Sequence, residues 1–328
     1  MVEVLRWSEL IEVCGSVERA RTALRHSEYR RVLRDAYVAG AVADSSATRV
    51  RALARVLPPD VAASHWTALW ACGLDVLPRD RNRLELLDVT VPRARHLQAR
   101  PQIRTHCALV PEEELCEADG LLVVSAARAF VDVARGAGPL EGVALGDAAL
   151  RSGLASPQLI AEAVERAAGL RWVTRARKAL PLLDDRSESL MESRLRVGLY
   201  LEGGLALEAQ RDLYDENGSW CGRADLFLDG VVVEYDGRES RLERPRFTHD
   251  RRRGNAFANL AVEVRRFTGD DYYKVPMRQH VAEVRRALSL AAERRPRYLF
   301  GADTLPVPKR SPLPTLADVN RLQARLTA

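Results

Sequence analysis

The sequence is poor in methionine, with 3, in cysteine, with 5, and in aromatic residues, which make up 6% of its 328 positions. The cysteines (Cys14, Cys72, Cys107, Cys116 and Cys221) are odd in number and widely spaced, and no CxxC pair occurs. A disulfide framework and a zinc knuckle are both disfavoured, and a reducing cytoplasm fits best. No apolar stretch of signal-peptide type follows Met1, because the opening Met1-Val2-Glu3-Val4-Leu5-Arg6-Trp7-Ser8-Glu9 carries acids early. The apolar runs, such as Leu121–Val124, are far too short to span a bilayer, so no membrane partner is expected. No aromatic platform for single-stranded nucleic acid is evident either, which ranks an RNA-directed activity low.

What is present is a chain able to build cores. Apolar residues reach 47% and charged residues 29%, which excludes wholesale disorder, and the length predicts two or three domains. Lys plus Arg is 50 against Asp plus Glu 45, a net charge of +5 that permits nucleic-acid binding without requiring it. The cations are mostly arginine. Phosphate recognition and GC-rich coding bias both produce that excess, and coding bias is the larger expected cause.

Trp7, Leu10, Ile11 and Cys14 follow helical spacing. Gly15-Ser16 breaks the chain, with Ser16 the expected cap of a second helix that turns Ala20, Leu24 and Ala23 inward. Arg21 and Arg25 share a face of this helix, while Arg19 points elsewhere. Tyr29–Val38 reads as a hairpin or wing. Helix, turn, helix and basic wing is the outline of a winged helix, which would lay its second helix in the major groove and make Arg19, Arg21 and Arg25 candidate DNA contacts. The competing reading is a helical lid with solvated arginines.

From about 45 to 180 the pattern gives helices at Thr48–Leu57 and His65–Cys72, then strands at Leu84–Val91, Gln102–Leu109 and Leu121–Val124. Helices follow at Ser125–Ala134, Leu140–Arg151, Ser156–Ala168 and Val173–Leu180. His65, His96 and His106 fall on different elements without ligand spacing, so no site is expected there. Asp184-Asp185-Arg186-Ser187 marks the main expected boundary. Beyond it come a helix at Ser189–Tyr200 and strands at Leu207–Tyr214, Trp220–Leu228 and Val231–Asp236, joined by turns at Asp215-Glu216-Asn217-Gly218 and Asp229-Gly230. A helix at Pro245–Leu260, a strand at Ala261–Phe267 and a closing helix at Val275–Ala291 complete the segment. Residues after about 295 read as loop until a short helix at Leu316–Leu326.

Strand alternation places Glu234 and Asp236 on one face, Asp225 can lie opposite Glu234, and Glu192 reaches in from the preceding helix. Carboxylates gathered this way repel one another unless a hard cation such as Mg²⁺ sits between them. Such an ion can activate water against a phosphodiester. Arg238 and the run Arg251, Arg252 and Arg253 are candidates for holding the nucleic-acid backbone. The bland reading is a set of solvated strand-end acids and a solvated basic face.

The ordered motifs Leu190-Met191-Glu192-Ser193-Arg194, Gln210, Arg223-Ala224-Asp225, Glu234-Tyr235-Asp236-Gly237-Arg238 and Asp250-Arg251-Arg252-Arg253, with Arg266-Phe267-Thr268, resemble a known family. It is the restriction-endonuclease-like domain related to very-short-patch-repair endonucleases, within the PD-(D/E)XK superfamily. The resemblance implies Asp225, Glu234 and Glu192 as ligands of Mg²⁺ or Mn²⁺, with Gln210 near them. The sequence departs from the family in having Asp236 where the lysine of Glu-X-Lys would stand. Asp236 would then be a further ligand, or Arg238, His249 or Arg253 would replace the lysine. The expected fold is α+β: a winged-helix-like unit at 1–60, an α/β middle segment at 61–185, a restriction-endonuclease-like αβββαβ domain at 186–295 and a Pro-rich tail at 296–328.

The N-terminal half is similar to abortive-infection type IV antitoxin-like proteins. That likeness rests on the winged-helix-like start, Val89-Thr90-Val91-Pro92-Arg93 and Gly146-Asp147-Ala148-Ala149-Leu150. It implies DNA binding in a defence setting. The expected function is a cytoplasmic, Mg²⁺-dependent endonuclease acting on double-stranded DNA in defence or repair. The alternative is a non-catalytic DNA-binding regulator or antitoxin that retains a nuclease-like fold. A second copy or a toxin is the expected protein partner.

Overall fold

The computed structural model describes residues 2–76, 86–92, 97, 100–236 and 256–300. The protein is mixed α+β and folds as two compact units. Among the described residues, one holds the chain up to Gly138 together with Gly153–Arg177; the other holds Pro139–Ser152 and the chain from Lys178 to Phe300.

The first unit opens on two short helices, α1 (Trp7–Cys14) and α2 (Val17–Arg25), where the spacing predicts them. The Ser16 hydroxyl accepts the Arg19 amide and starts α2, as expected of a cap. Strands β1 (Tyr29–Leu33) and β2 (Ala36–Ala39) form the predicted antiparallel hairpin, and Leu5 adds a third rung by exchanging both backbone hydrogen bonds with Tyr37 at 2.9 Å. Leu5, Leu10 and Ala20 form a small core on which Trp7, Ile11, Leu24 and Tyr37 pack. Helix α3 (Ser46–Val56) lies against this hairpin.

The same unit continues into a five-stranded sheet of order β5-β4-β3-β7-β6. Its strands are β3 (Ala62–Ala63), β4 (Leu87–Val91), β5 (Ile103–Cys107), β6 (Leu115–Ala118) and β7 (Leu121–Val124). Strands β3 and β6 are too short and too weakly patterned to announce themselves in the sequence. Helices α4 (His65–Ala71), α5 (Ala126–Ala137) and α7 (Pro157–Arg166) pack with one another beside it, and the short helix α8 (Val173–Ala179) follows α7 in the chain. The predicted Ser125 cap is present, accepting the Arg128 amide.

The second unit contains α6 (Pro139–Arg151), which packs along α9 (Leu190–Gly203). Its sheet has the order β11-β10-β9-β8-β12. The strands are β8 (Glu208–Tyr214), β9 (Trp220–Leu228), β10 (Val231–Asp236), β11 (Glu263–Thr268) and β12 (Leu299–Phe300). Strands β8, β9 and β10 run antiparallel in succession, and β11 returns parallel to β10. Helix, three antiparallel strands and a parallel return strand follow the predicted order. Both turns form as the residue types require: Gly218 and the pair Asp229-Gly230 have positive φ. The period-two pattern of β10 sends Val231 and Val233 into one core with Leu195, Leu226 and Phe267, and Val232 into another with Leu213, Phe227 and Phe257. Two expectations are corrected here. The closing helix, expected at Val275–Ala291, starts instead at Met277 as α11 (Met277–Arg294), and Val275-Pro276 separates it from a short helix that was not expected, α10 (Gly269–Lys274), because proline cannot supply the amide that a continuous helix needs. The stretch after 295 is not all loop, since Leu299 and Phe300 pair with Tyr214 and Leu213. The expected helix at Leu316–Leu326 lies outside the described residues.

Two buried ion pairs tie α6 to α9. Arg194 grips Glu141 through two bonds of 2.9 Å, and Arg196 meets Asp147 at 2.8 Å. Burial pushes the Asp147 carboxyl up to about 6 from an ordinary value near 3.8, against the pull of Arg196, the Asp184 amide and the Ser193 hydroxyl. A raised acid binds its proton more tightly in the folded chain. Its stabilising contribution is therefore full below the unfolded value and is lost as pH climbs through the folded one. The stability of this unit should fall by up to about 3 kcal/mol between about pH 4 and pH 6 on account of Asp147. Urea titrations across that range should show a flatter profile for Asp147→Asn; parallel profiles for the two proteins would refute the assignment.

Candidate functional site

Three places in the chain gather functional side chains. The first is the helical start. Arg19, Arg21 and Arg25 on α2 and Arg31 and Arg34 on the hairpin are all exposed, and none has an acidic partner among the described residues. Buried Ala20 and Ala23 anchor α2, so its arginines stay on the solvent side. This is a compact cationic surface on a helix and a wing, suited to phosphate oxygens. Arg251, Arg252 and Arg253, the other candidate contacts, lie outside the described residues.

The second place is the carboxylate set of the second unit. Glu192, in the first turn of α9, accepts the Glu188 amide at 2.8 Å and the Gln210 side-chain amide at 2.9 Å. Burial pushes its carboxyl up, with these hydrogen bonds pulling the other way. Gln210 thus lies beside Glu192, and it holds a left-handed φ of +53° within β8. Asp225 on β9 accepts the Tyr235 amide at 3.1 Å. Glu234 is 3% exposed, and Arg266, its register partner on β11, donates to it at 2.8 Å. Asp236 ends β10, half-buried. Among the described residues these four acids do not form a triad with ligand atoms within 4.8 Å of one another. Arg238 and His249 lie outside the described residues.

The third place corrects an expectation. His65 and His106, read as isolated, come together with Asp88: one ligand atom from each lies within 4.8 Å of the others. His96 lies outside the described residues. Asp88 sits on β4, where all five residues are buried, and is 2% exposed. Parallel pairing with β5 sets Asp88 across from Arg104 and Thr90 across from His106. Arg104 and His106 are two apart on β5, so both fall on the same face as Asp88. Arg104 holds both carboxylate oxygens at 2.6 and 3.0 Å, and His106 Nε2 lies 2.8 Å from Oδ1. Burial opposes the charge on Asp88, but His106 and Arg104 outweigh it and hold the carboxyl down at about 2. His65 enters from the start of α4 with a left-handed φ of +53°; its ring stacks on His106 at 3.9 Å and its Nδ1 lies 3.1 Å from the Ser64 hydroxyl. Burial, reinforced by the neighbouring His106, pushes His65 down to about 4. The local chain is pinned by the Ser64 amide on the Asp88 carbonyl and the Asp88 amide on the Thr67 hydroxyl. Spacing rules miss this cluster because its three members come from three elements. The available signal was an aspartate inside the apolar strand Leu87-Asp88-Val89-Thr90-Val91, which needs a polar partner once buried.

A family model described as the AbiEi antitoxin C-terminal domain matches residues 61–182. That stretch of the chain is antitoxin-like, and it contains all three members of the His65, Asp88 and His106 cluster. No curated protein matches the chain. No described helix is long and apolar enough to cross a membrane.

Proposed function

We propose that this protein is a DNA-binding regulator of the antitoxin type. Its N-terminal helices and hairpin contact duplex DNA, and its C-terminal unit keeps a nuclease-like strand order without cleaving. The antitoxin match over 61–182 carries this reading, and it directly follows a helix-turn-helix and wing whose exposed arginines suit a duplex. Antitoxins act beside a toxin, so a toxin protein is the second partner in this proposal. The engagement of Glu234 by Arg266 favours the non-catalytic form, because an arginine already supplies the positive charge at that acid.

Fluorescence anisotropy on a duplex from the region upstream of the protein's own gene tests the proposal. The double variant Arg21→Ala/Arg25→Ala should bind on the order of tenfold more weakly or worse, with a salt slope shallower by roughly one to two. Unchanged affinity and slope would remove α2 from the interface. In parallel, supercoiled plasmid with Mg²⁺ or Mn²⁺ should stay intact with the wild type. Metal-dependent nicking that disappears in both Glu234→Ala and Asp225→Ala would instead establish the nuclease.

A further inference from the structure

We propose that His65, Asp88 and His106 form a binding site for a divalent transition metal, Zn²⁺ being the ion this donor set fits best. The inference goes beyond the DNA-binding reading and stands independently of it. Two imidazoles and one carboxylate are a borderline donor set, suited to zinc and its neighbours rather than to Mg²⁺, which prefers oxygen ligands throughout. The three candidate atoms already lie within 4.8 Å of one another, so modest contraction brings each to the roughly 2.0–2.2 Å of a zinc bond.

The surroundings have the features of a built site. Each ligand is fixed by a different backbone element: the start of α4 for His65, interior strand β4 for Asp88 and its parallel neighbour β5 for His106. Arg104 clamps Asp88 with two hydrogen bonds and remains as an outer partner when a metal takes one lone pair, the support that metal-bound carboxylates usually have. Ser64 engages Nδ1 of His65, which leaves Nε2 of that ring to offer. The left-handed backbone at His65 is a cost that a residue serving only as helix filler would not carry, and strained positions of this kind concentrate at ligand sites. Metal binding replaces the hydrogen bond between His106 Nε2 and Asp88 Oδ1, and the ring proton moves to Nδ1 of His106. Three protein ligands leave a fourth position for water or for a group from a partner.

The test uses the full chain stripped with a chelator and titrated with ZnCl₂ against a chromophoric competitor. A single saturable equivalent is expected. His65→Ala/His106→Ala should weaken it on the order of 100-fold or more. No saturable binding by the wild type, or equal binding by the double variant, overturns the proposal. Because the variant could lose its fold, the wild type carries an independent readout. With ¹⁵N-labelled histidine, the ring signals of two of the six histidines should move on adding Zn²⁺. These should be the two signals absent from the spectra of His65→Gln and His106→Gln. Movement of none, or of a different pair, also overturns it.

Discussion

Arg128→Met should cost the first unit about 3–5 kcal/mol, with a urea midpoint lower by roughly 1–3 M. Arg128 lies on α5 and joins two buried acids, donating to Glu114 at 2.7 Å and to Asp132 at 2.9 Å. The side chains of Arg128, Glu114 and Asp132 are 5%, 2% and 6% exposed, so none can fall back on water. Methionine fills much of the volume but leaves two carboxylates short of a cation. Arg166 still reaches Glu114 at 2.9 Å and Arg135 still reaches Asp132 at 3.3 Å, which softens the loss without cancelling it. The fluorescence of Trp66 and Trp70, both buried on α4 against α5, reports the transition. Adding Glu114→Gln and Asp132→Asn to the variant should recover roughly half of the deficit, since the penalty is mainly uncompensated charge. A loss under about 1 kcal/mol would mean that the two outer arginines carry the network alone. The effect should extend to the histidine cluster, because the charge of Asp132 acts on His65.

Element order in the second unit was legible because its signals are local. Asn217-Gly218 and Asp229-Gly230 mark turns, and Val231 to Val233 alternate between two cores, so both strand limits and facing could be read directly. The Ser16 and Ser125 caps were legible for the same reason. The short strands β3 and β6 were not, since two to four residues carry no period, and their place is set by neighbours distant in sequence. The histidine cluster was illegible for a related reason. Asp88 and His106 meet only through the parallel register of β4 and β5, and His65 meets them only because the Ser64 amide bonds to the Asp88 carbonyl. The carboxylate set shows the opposite imbalance. Its residues stand out as a motif, and Gln210 does reach Glu192, yet Glu234 is paired with an arginine that the motif assigned no role. Residue type and order give the elements. Which charges neutralise one another is decided by register.

Arg194→Leu should be as damaging to the second unit, by about 3–5 kcal/mol, although no chemistry is assigned to Arg194. Its side chain is 2% exposed and forms a two-point fork with Glu141, one α9 residue gripping one α6 residue. Removing the arginine takes this two-point cation away from Glu141, which is only 8% exposed. Arg194→Lys should restore less than half of the loss, because an ammonium is a point charge and cannot reproduce the planar fork. The double variant Arg194→Leu/Glu141→Leu should lose less than the sum of the single variants, by on the order of 2 kcal/mol, since it strands no charge. Hydrogen exchange at the β9 and β10 amides isolates this unit from the tryptophan-reported one. Additive losses would show that the pair is not coupled and that each side chain acts through packing alone. A coupled result would separate two kinds of charged residue in the same helix. Glu192 accepts bonds from Glu188 and Gln210 in the first turn, whereas Arg194, two positions later, holds α6 in place; mutational loss at Arg194 therefore speaks to folding and not to DNA.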